Sequence, residues 1–157
     1  MTHIWLESGD IQSIVNILHK HLANSSVLNL KIRNYHWNVK WAHFHDFHSF
    51  FEELYTAGAE QIDEIAERIR MLWVYTHGSM KQYLEITDIS EETQENISDQ
   101  DMISRLLQDY ETIISAMRKD IIKVGETDDM GTEDFLTGLI QKHEKDAWML
   151  RSLSSKG

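Results

Sequence analysis

The sequence predicts an all-α protein that folds as a four-helix bundle. Its 157 residues include no proline, the residue that most strongly interrupts helices. Four long segments repeat apolar residues at three- and four-residue steps, and none alternates apolar and polar residues as a half-buried strand does. With 41% apolar residues the chain can build one complete core, which predicts a single domain over residues 1–157.

The first two predicted helices differ in how regular their apolar pattern is. The first begins near Ser8 or Asp10, either of which could cap it, and ends near Trp37. The second carries the longest regular apolar stripe of the chain, formed by Phe47, Phe51, Leu54, Gly58, Ile62, Ile65, Ile69 and Leu72. Between residues 74 and 96 the pattern weakens. The segment SMKQYLEI could form a short helix in a connection long enough to join parallel neighbours of a bundle.

Two more helices complete the predicted bundle. The third begins at Ser98, where Asp101 three residues later gives an approximate capping box, and it ends near Gly125. The fourth follows the loop ETDDMG, and Thr132 could cap it. Its apolar face continues as far as Leu150.

Charge and composition narrow the possible partners. A formal net charge of −11 disfavours nucleic acid, because phosphate binding depends on Lys and Arg displacing condensed counterions. The chain has no cysteine, so any metal site must use His, Asp and Glu, which suits iron, manganese or zinc. There is no apolar run long enough to span a membrane, and the N-terminus does not resemble a signal peptide. We therefore expect a soluble cytoplasmic protein.

Two pairs of potential metal ligands share one face of the second predicted helix. His48 and Glu52 are four residues apart, as are Asp63 and Glu67. An isolated pair of this kind is more often a solvated surface feature than a metal site. At about 100° per residue, however, all four positions fall in one arc roughly 130° from the apolar stripe. The pattern therefore predicts a site on an outer face of the bundle.

A single chain cannot bring these two pairs onto one ion. The inward Glu-x-x-His pattern of di-iron bundle cores is absent, since no glutamate lies three residues before a histidine. His48 and Asp63 are separated by about 22 Å along a helix, beyond the reach of two side chains. If two copies packed about a two-fold axis with these helices antiparallel, His48 of one would lie beside Asp63 and Glu67 of the other. The spacing hints at a metal site shared between subunits.

These motifs resemble the signature of the Dps family, the mini-ferritins of the ferritin-like superfamily. The matching residues are HWNV at His36–Val39, Phe44, HSFFEELY from His48, DEIAERI at Asp63–Ile69, MKQYLE, and DMGTEDFLTGLIQKHEKDAWMLRS in the last helix. The resemblance implies a dodecameric hollow cage. Such a cage oxidises Fe(II), with hydrogen peroxide preferred over oxygen, and stores the ferric product as a mineral inside.

The resemblance also implies a set of site residues. The family's ferroxidase ligands correspond to His36 and His48 from one subunit and to Asp63 and Glu67 from its two-fold mate. Glu52 corresponds to a further acidic position beside the site. This agrees with the shared site that the helix geometry suggests.

Roles outside the metal site follow from the same resemblance. Trp37 would match an indole that takes up stray oxidising equivalents, with an ordinary packed aromatic as the alternative. Asp129 and Asp134 would line the pores through which iron enters, although acidic residues near a helix start are also expected from the helix dipole. Glu53 would belong to the inner carboxylates that seed the mineral.

The chain departs from the family pattern at two turns. Trp41 stands where the family usually has glycine, and WVYTH at 73–77 replaces a GGxP-like turn, so the loop after the second helix is expected to differ. His43, His45 and His77 are additional imidazoles near the motif. They are ordinarily interpreted as surface or hydrogen-bonded histidines, with an accessory zinc or iron position as the alternative.

The expected function is a cytoplasmic ferroxidase and iron-storage protein, with iron as the metal and zinc in part of the site left open. Many relatives bind DNA through a lysine-rich tail. Here the first ten residues contain no Lys or Arg, and the C-terminal RSLSSKG is short and weakly basic. A DNA-compacting protein is therefore a less favoured alternative, and an acidic helical scaffold without catalysis is another.

Overall fold

Four long helices form a bundle, and a short helix lies in the connection that crosses it. The computed structural model describes residues 6–40 and 42–154, and no strand occurs in these two ranges. The helices are α1 (Ser8–Asn38), α2 (Phe44–Met71), α3 (Met80–Ile86), α4 (Asp99–Gly125) and α5 (Met130–Leu153). The all-α bundle and the short helix in the connection are thereby confirmed.

The core lies between two helical hairpins. Short connections pair α1 with α2 and α4 with α5, and contacts from α1 to α4 and from α2 to α5 join the pairs. Each long helix contributes fully buried side chains, among them Leu18, Ile65, Ile113 and Leu150. Burying an aliphatic side chain of this size is worth about 1.5–3 kcal/mol, so the hairpins are held together mainly by the apolar stripes that the sequence shows.

Helix starts depart from the sequence prediction at two places, the caps of α1 and α5. Glu7 occupies the N-cap position of α1 without a side-chain hydrogen bond, so neither Ser8 nor Asp10 caps this helix. The second helix starts earlier than its apolar stripe, at Phe44. Asp129, and not Thr132, caps α5, because the Asp129 carboxylate accepts a hydrogen bond from the Thr132 backbone N–H. The predicted cap of α4 is confirmed, with the Ser98 hydroxyl accepting from the Asp101 N–H.

The long connection between α3 and α4 is bound along one side of α1. The Asn24 side-chain oxygen accepts hydrogen bonds from the Thr87 hydroxyl and the Asp88 N–H. Further along α1, Lys31 donates to the Ser90 carbonyl, and the Tyr35 hydroxyl donates to the Glu92 carboxylate at 2.7 Å. These bonds satisfy polar groups that α1 would otherwise bury unpaired, and they fix the connection across the bundle.

Within the described residues, no helix combines the length and the apolar character that crossing a membrane requires.

Candidate metal centre

His36 and His48 lie face to face where α1 turns into α2. Their ring centroids are 3.8 Å apart and their planes differ by 22°. The Nδ1 of each histidine lies 2.8 Å from the backbone carbonyl oxygen of the other. Because a carbonyl oxygen can only accept, each Nδ1 carries a proton and donates it, which leaves the lone pair of each ring on Nε2. Both imidazoles are therefore fixed in the tautomer that binds a metal through Nε2.

The local sequence explains this arrangement. His36 lies in the last turn of α1 and His48 in the second turn of α2, and the short connection between the helices places these turns side by side. Phe44 stacks on the His48 ring at a centroid distance of 4.9 Å. Phe47 is buried in the core and packs against His43 and Phe51 at the start of α2. The apolar residues around HFHDFH thus orient the imidazoles.

Tyr55, Arg33 and Asn29 form a set of aromatic and polar contacts that supports the His36 ring. The Tyr55 ring meets the His36 ring edge-on at 5.1 Å, and the Arg33 guanidinium lies over the Tyr55 ring at 4.1 Å. Asn29 accepts a hydrogen bond from Arg33 Nε and donates one to the Tyr55 carbonyl. The sequence analysis missed these supporting residues. Their spacing could have indicated them. Arg33 lies three residues before His36, and Tyr55 lies seven residues after His48, so each shares a helix face with one histidine.

The carboxylates of the predicted site lie elsewhere on α2. Glu52, Asp63 and Glu67 are exposed, as expected from their angular distance to the apolar stripe. Asp63 is fifteen residues beyond His48 on one continuous helix, or about 22 Å along its axis. Within the described residues, no three His, Asp or Glu side chains of a single chain are placed to hold one ion. The structure therefore brings His36 and His48 together but keeps Asp63 and Glu67 apart from them.

The available ligand atoms indicate what the site could bind. Two imidazole nitrogens with carboxylate oxygens form a mixed N and O donor set, which suits iron, manganese or zinc. Trp37, next to His36 in sequence, is 63% exposed in the single chain. Its role as a sink for oxidising equivalents stays a prediction.

The two candidate pore residues have different environments. Asp129 is only 4% exposed, and its carboxylate receives the Arg68 guanidinium at 2.8 Å together with the N–H and hydroxyl of Thr132. Gly131 makes room for this contact, since a Cβ there would lie 2.9 Å from Arg68 Nη2. Asp129 therefore caps α5, and its pore role stays a prediction. Asp134 is exposed, and its pore role stays a prediction.

The additional histidines have separate surroundings. His43 Nδ1 lies 3.1 Å from an Asp99 carboxylate oxygen at the start of α4, and His45 is almost fully exposed. His77 stacks on His19 of α1, with ring centroids 3.8 Å apart and planes differing by 3°. The possible accessory metal position at these histidines remains untested.

The two turns at which the chain departs from the family pattern are only partly described. Trp41 lies outside the described residues. Trp73 adopts a φ of 62°, a left-handed conformation that favours glycine. This is where the resemblance places a glycine-rich turn.

Comparison with known proteins places the chain in a family. A family model for the ferritin-like domain matches residues 15–157. DNA protection during starvation protein 2 of Bacillus anthracis is 40% identical over 145 residues, covering 90% of this chain and 96% of that protein. An uncharacterised low temperature-induced protein of Nostoc sp. is 40% identical over 151 residues, covering 96% and 84%. The crystal structure of a Dps protein from Vibrio cholerae O1 matches with a TM-score of 0.92 at 33% identity, covering 98% and 97%.

The four-helix bundle and the family-model match define a ferritin-like protein. The chain belongs to the Dps family of mini-ferritins. The Vibrio cholerae relative is described as a member of the ferritin-like diiron-carboxylate proteins. Membership in this family supports iron storage and protection as the general role, iron as the metal, and assembly from several copies of one chain. It gives no support for zinc.

Proposed function

We propose that this chain is a ferroxidase and the subunit of a cytoplasmic dodecameric iron-storage cage. Its sites oxidise Fe(II) with hydrogen peroxide, or with oxygen, and the cage stores the ferric product as a mineral. The observation that carries the proposal is the histidine pair, in which reciprocal hydrogen bonds leave both Nε2 lone pairs for a metal. A pair of ordinary surface histidines has no reason to be fixed in this tautomer.

Each proposed site lies between two subunits. His36 and His48 come from one copy, Asp63 and Glu67 come from its two-fold mate, and Glu52 lies beside them. The separation along α2 supports this division, because fifteen residues of continuous helix keep the carboxylates about 22 Å from the histidines of the same chain. An antiparallel pair of α2 helices about a two-fold axis would form two such sites at once.

Iron is the substrate of the proposed reaction. Two Fe(II) ions give two electrons to one hydrogen peroxide molecule, whose O–O bond breaks. With two protons taken up, the products are two Fe(III) ions and two water molecules. A single Fe(II) ion gives only one electron and releases a hydroxyl radical, so a site that pairs the ions is protective. Trp37, adjacent to His36, is proposed to take up stray oxidising equivalents, and exposed Asp134 to line the pores through which iron enters.

Co-assembly of two inactive variants tests the shared site. His48→Ala and Asp63→Ala should each lose most ferroxidase activity when assembled alone, because every site then lacks a ligand. In a mixed two-fold dimer, one site lacks both ligands and the other is wild type. With random pairing, half of the dimers are mixed and half of their sites are intact, so co-expression should restore about a quarter of normal activity.

The measurement is Fe(II) consumption followed by absorbance, with peroxide expected to act faster than oxygen. Glu60→Ala, which removes an exposed carboxylate from the same helix, serves as the matched control and should keep full activity. Mass spectrometry must show that the cages contain both chains. Activity that stays at the parental background in such mixed cages would exclude a site shared between subunits.

A further inference from the structure

His143 is a buried histidine of α5 for which the proposed function has no use. Its side chain is 2% exposed, and neither ring nitrogen has a hydrogen-bond partner among the described residues. Burial lowers the pKa of His143 to about 4, so the ring is neutral near pH 7. A neutral imidazole has one N–H donor and one acceptor nitrogen. Buried polar groups of native proteins rarely stay unpaired, since each costs about 1–3 kcal/mol.

A small cavity lies against this ring in the middle of the bundle. Its volume is about 10 Å³, close to the minimum of roughly 10–15 Å³ that one water molecule requires. All four long helices line it, through Ser25 and Asn29 of α1, Gly58 and Gln61 of α2, Tyr110 of α4 and His143 of α5. The Ser25 hydroxyl is also buried and has no hydrogen-bond partner among the described residues. Two residues with unpaired polar atoms, Ser25 of α1 and His143 of α5, thus line one cavity.

Gly58 helps to keep this space open. A Cβ at this position would lie 2.7 Å from Asn29 Nδ2, which is held in place by its hydrogen bond to the Tyr55 carbonyl. Asn29 also accepts a hydrogen bond from Arg33, whose guanidinium covers the ring that contacts His36. Asn29 therefore lines the cavity and also takes part in the contacts that support the histidine pair.

We propose that this cavity is a binding site for one water molecule, which hydrogen-bonds the Ser25 hydroxyl and the His143 ring and so links α1 to α5. Water suits the site because it offers two donors and two acceptors to groups that need both kinds of partner. A metal ion is the competing occupant, and it would require His143 with further ligands at shorter distances. The inference does not depend on the proposed ferroxidase function.

A crystal structure of the assembled wild-type protein tests the proposal directly. We expect one density peak in the cavity, about 2.7–3.2 Å from Ser25 Oγ and from a His143 ring nitrogen. Diffraction data collected at the iron and zinc absorption edges should show no anomalous signal there. A cavity without density would overturn the proposal. An anomalous peak about 2.0–2.2 Å from His143 would replace the water with a metal.

Ser25→Ala gives a test in solution, because a bound water and a dry cavity predict opposite changes in Tm. If water is bound, the variant removes one of its partners and should lower Tm by about 2–4 °C. If the cavity is dry, the variant removes an unpaired hydroxyl, and Tm should stay constant or rise. Ser26→Ala is the matched control, because the Ser26 hydroxyl donates only to the Leu22 carbonyl of its own helix. A Ser25→Ala protein with Tm at or above wild type therefore contradicts the bound water.

Discussion

Asp146 and His143, three residues apart on α5, make opposite contributions to the pH dependence of stability. Burial raises the pKa of Asp146 to about 6 from an ordinary 3.8, so the folded protein gains stability as pH falls through this range. Burial, with smaller contributions from His21 and Lys142, lowers the pKa of His143 to about 4 from 6.5. The folded protein therefore loses stability as pH falls below 6.5. Between about pH 6 and pH 4 the two effects oppose each other.

Substitution of Asp146 by Asn should expose this compensation. Asp146→Asn removes the gain on acidification and leaves the loss due to His143. We expect Tm of the variant to fall by about 2–5 °C more than that of wild type between pH 6 and pH 4.5. Thermal unfolding at fixed protein concentration measures the difference. Asp128→Asn, at an exposed aspartate before α5, is the control, and its Tm should vary with pH as that of wild type does. If the Tm of Asp146→Asn also varies with pH as that of wild type does, the Asp146 carboxyl group does not have the raised pKa.

Single residues also mark the limit of what the sequence could predict about the site. His36 and His48 were identified from their motif, but their reciprocal hydrogen bonds depend on how α1 and α2 pack, which no local spacing specifies. Asn29, Arg33 and Tyr55 were missed for a similar reason. Each is a common residue type on a helix, and its role arises only from the ring or carbonyl that it contacts.

At the scale of secondary structure, the start of α5 depends on a contact with α2. Arg68 donates to the Asp129 carboxylate and to the Thr132 hydroxyl, so the cap of one helix is fixed by a side chain of another. The sequence analysis assigned the cap to Thr132, which lies within the first turn of α5, and not to Asp129 before it. Ser98 was predicted correctly because both halves of its capping box lie within four residues.

We expect Asp129→Ala to destabilise the protein more than Asp129→Asn, because asparagine keeps the cap and loses only the charge that pairs with Arg68. Loss of an N-cap costs about 0.5–2 kcal/mol, whereas asparagine caps helices about as well as aspartate. Thermal unfolding should therefore show a Tm lower by several degrees for alanine and a smaller decrease for asparagine. Asp134→Ala, at an exposed position in the same helix, is the control and should keep the wild-type Tm. Slower iron uptake by Asp129→Asn at an unchanged Tm would instead support the predicted pore role of Asp129.

At the scale of the whole molecule, acidic side chains dominate, with 26 aspartates and glutamates against 15 lysines and arginines. Binding to duplex DNA gains most of its free energy from releasing counterions, which requires clustered basic residues.

The helical architecture was predictable because apolar periodicity is a local property that each segment carries in full. The assembly could not be predicted from the apolar periodicity, because a subunit interface depends on how two folded surfaces fit together.

We predict no measurable binding of duplex DNA at physiological salt. A gel-shift titration with plasmid measures it, and lowering the salt concentration separates weak electrostatic association from its complete absence. A lysine-tailed Dps protein at the same molar excess provides the positive control. Retention of plasmid by both proteins at the same excess would contradict the prediction and revive a DNA-compacting role.

If the proposed ferroxidase site is shared between subunits, the length of helix between the histidines and the carboxylates of α2 determines when oxidation can begin. In the proposed arrangement a newly made subunit carries half of two sites and the whole of none. Its oxidation rate therefore depends on encounters between chains and rises with the square of their concentration while subunits are scarce. With a site shared in this way, synthesis of the protein at low abundance would leave Fe(II) unoxidised. Oxidation would start only after the chains meet in two-fold dimers.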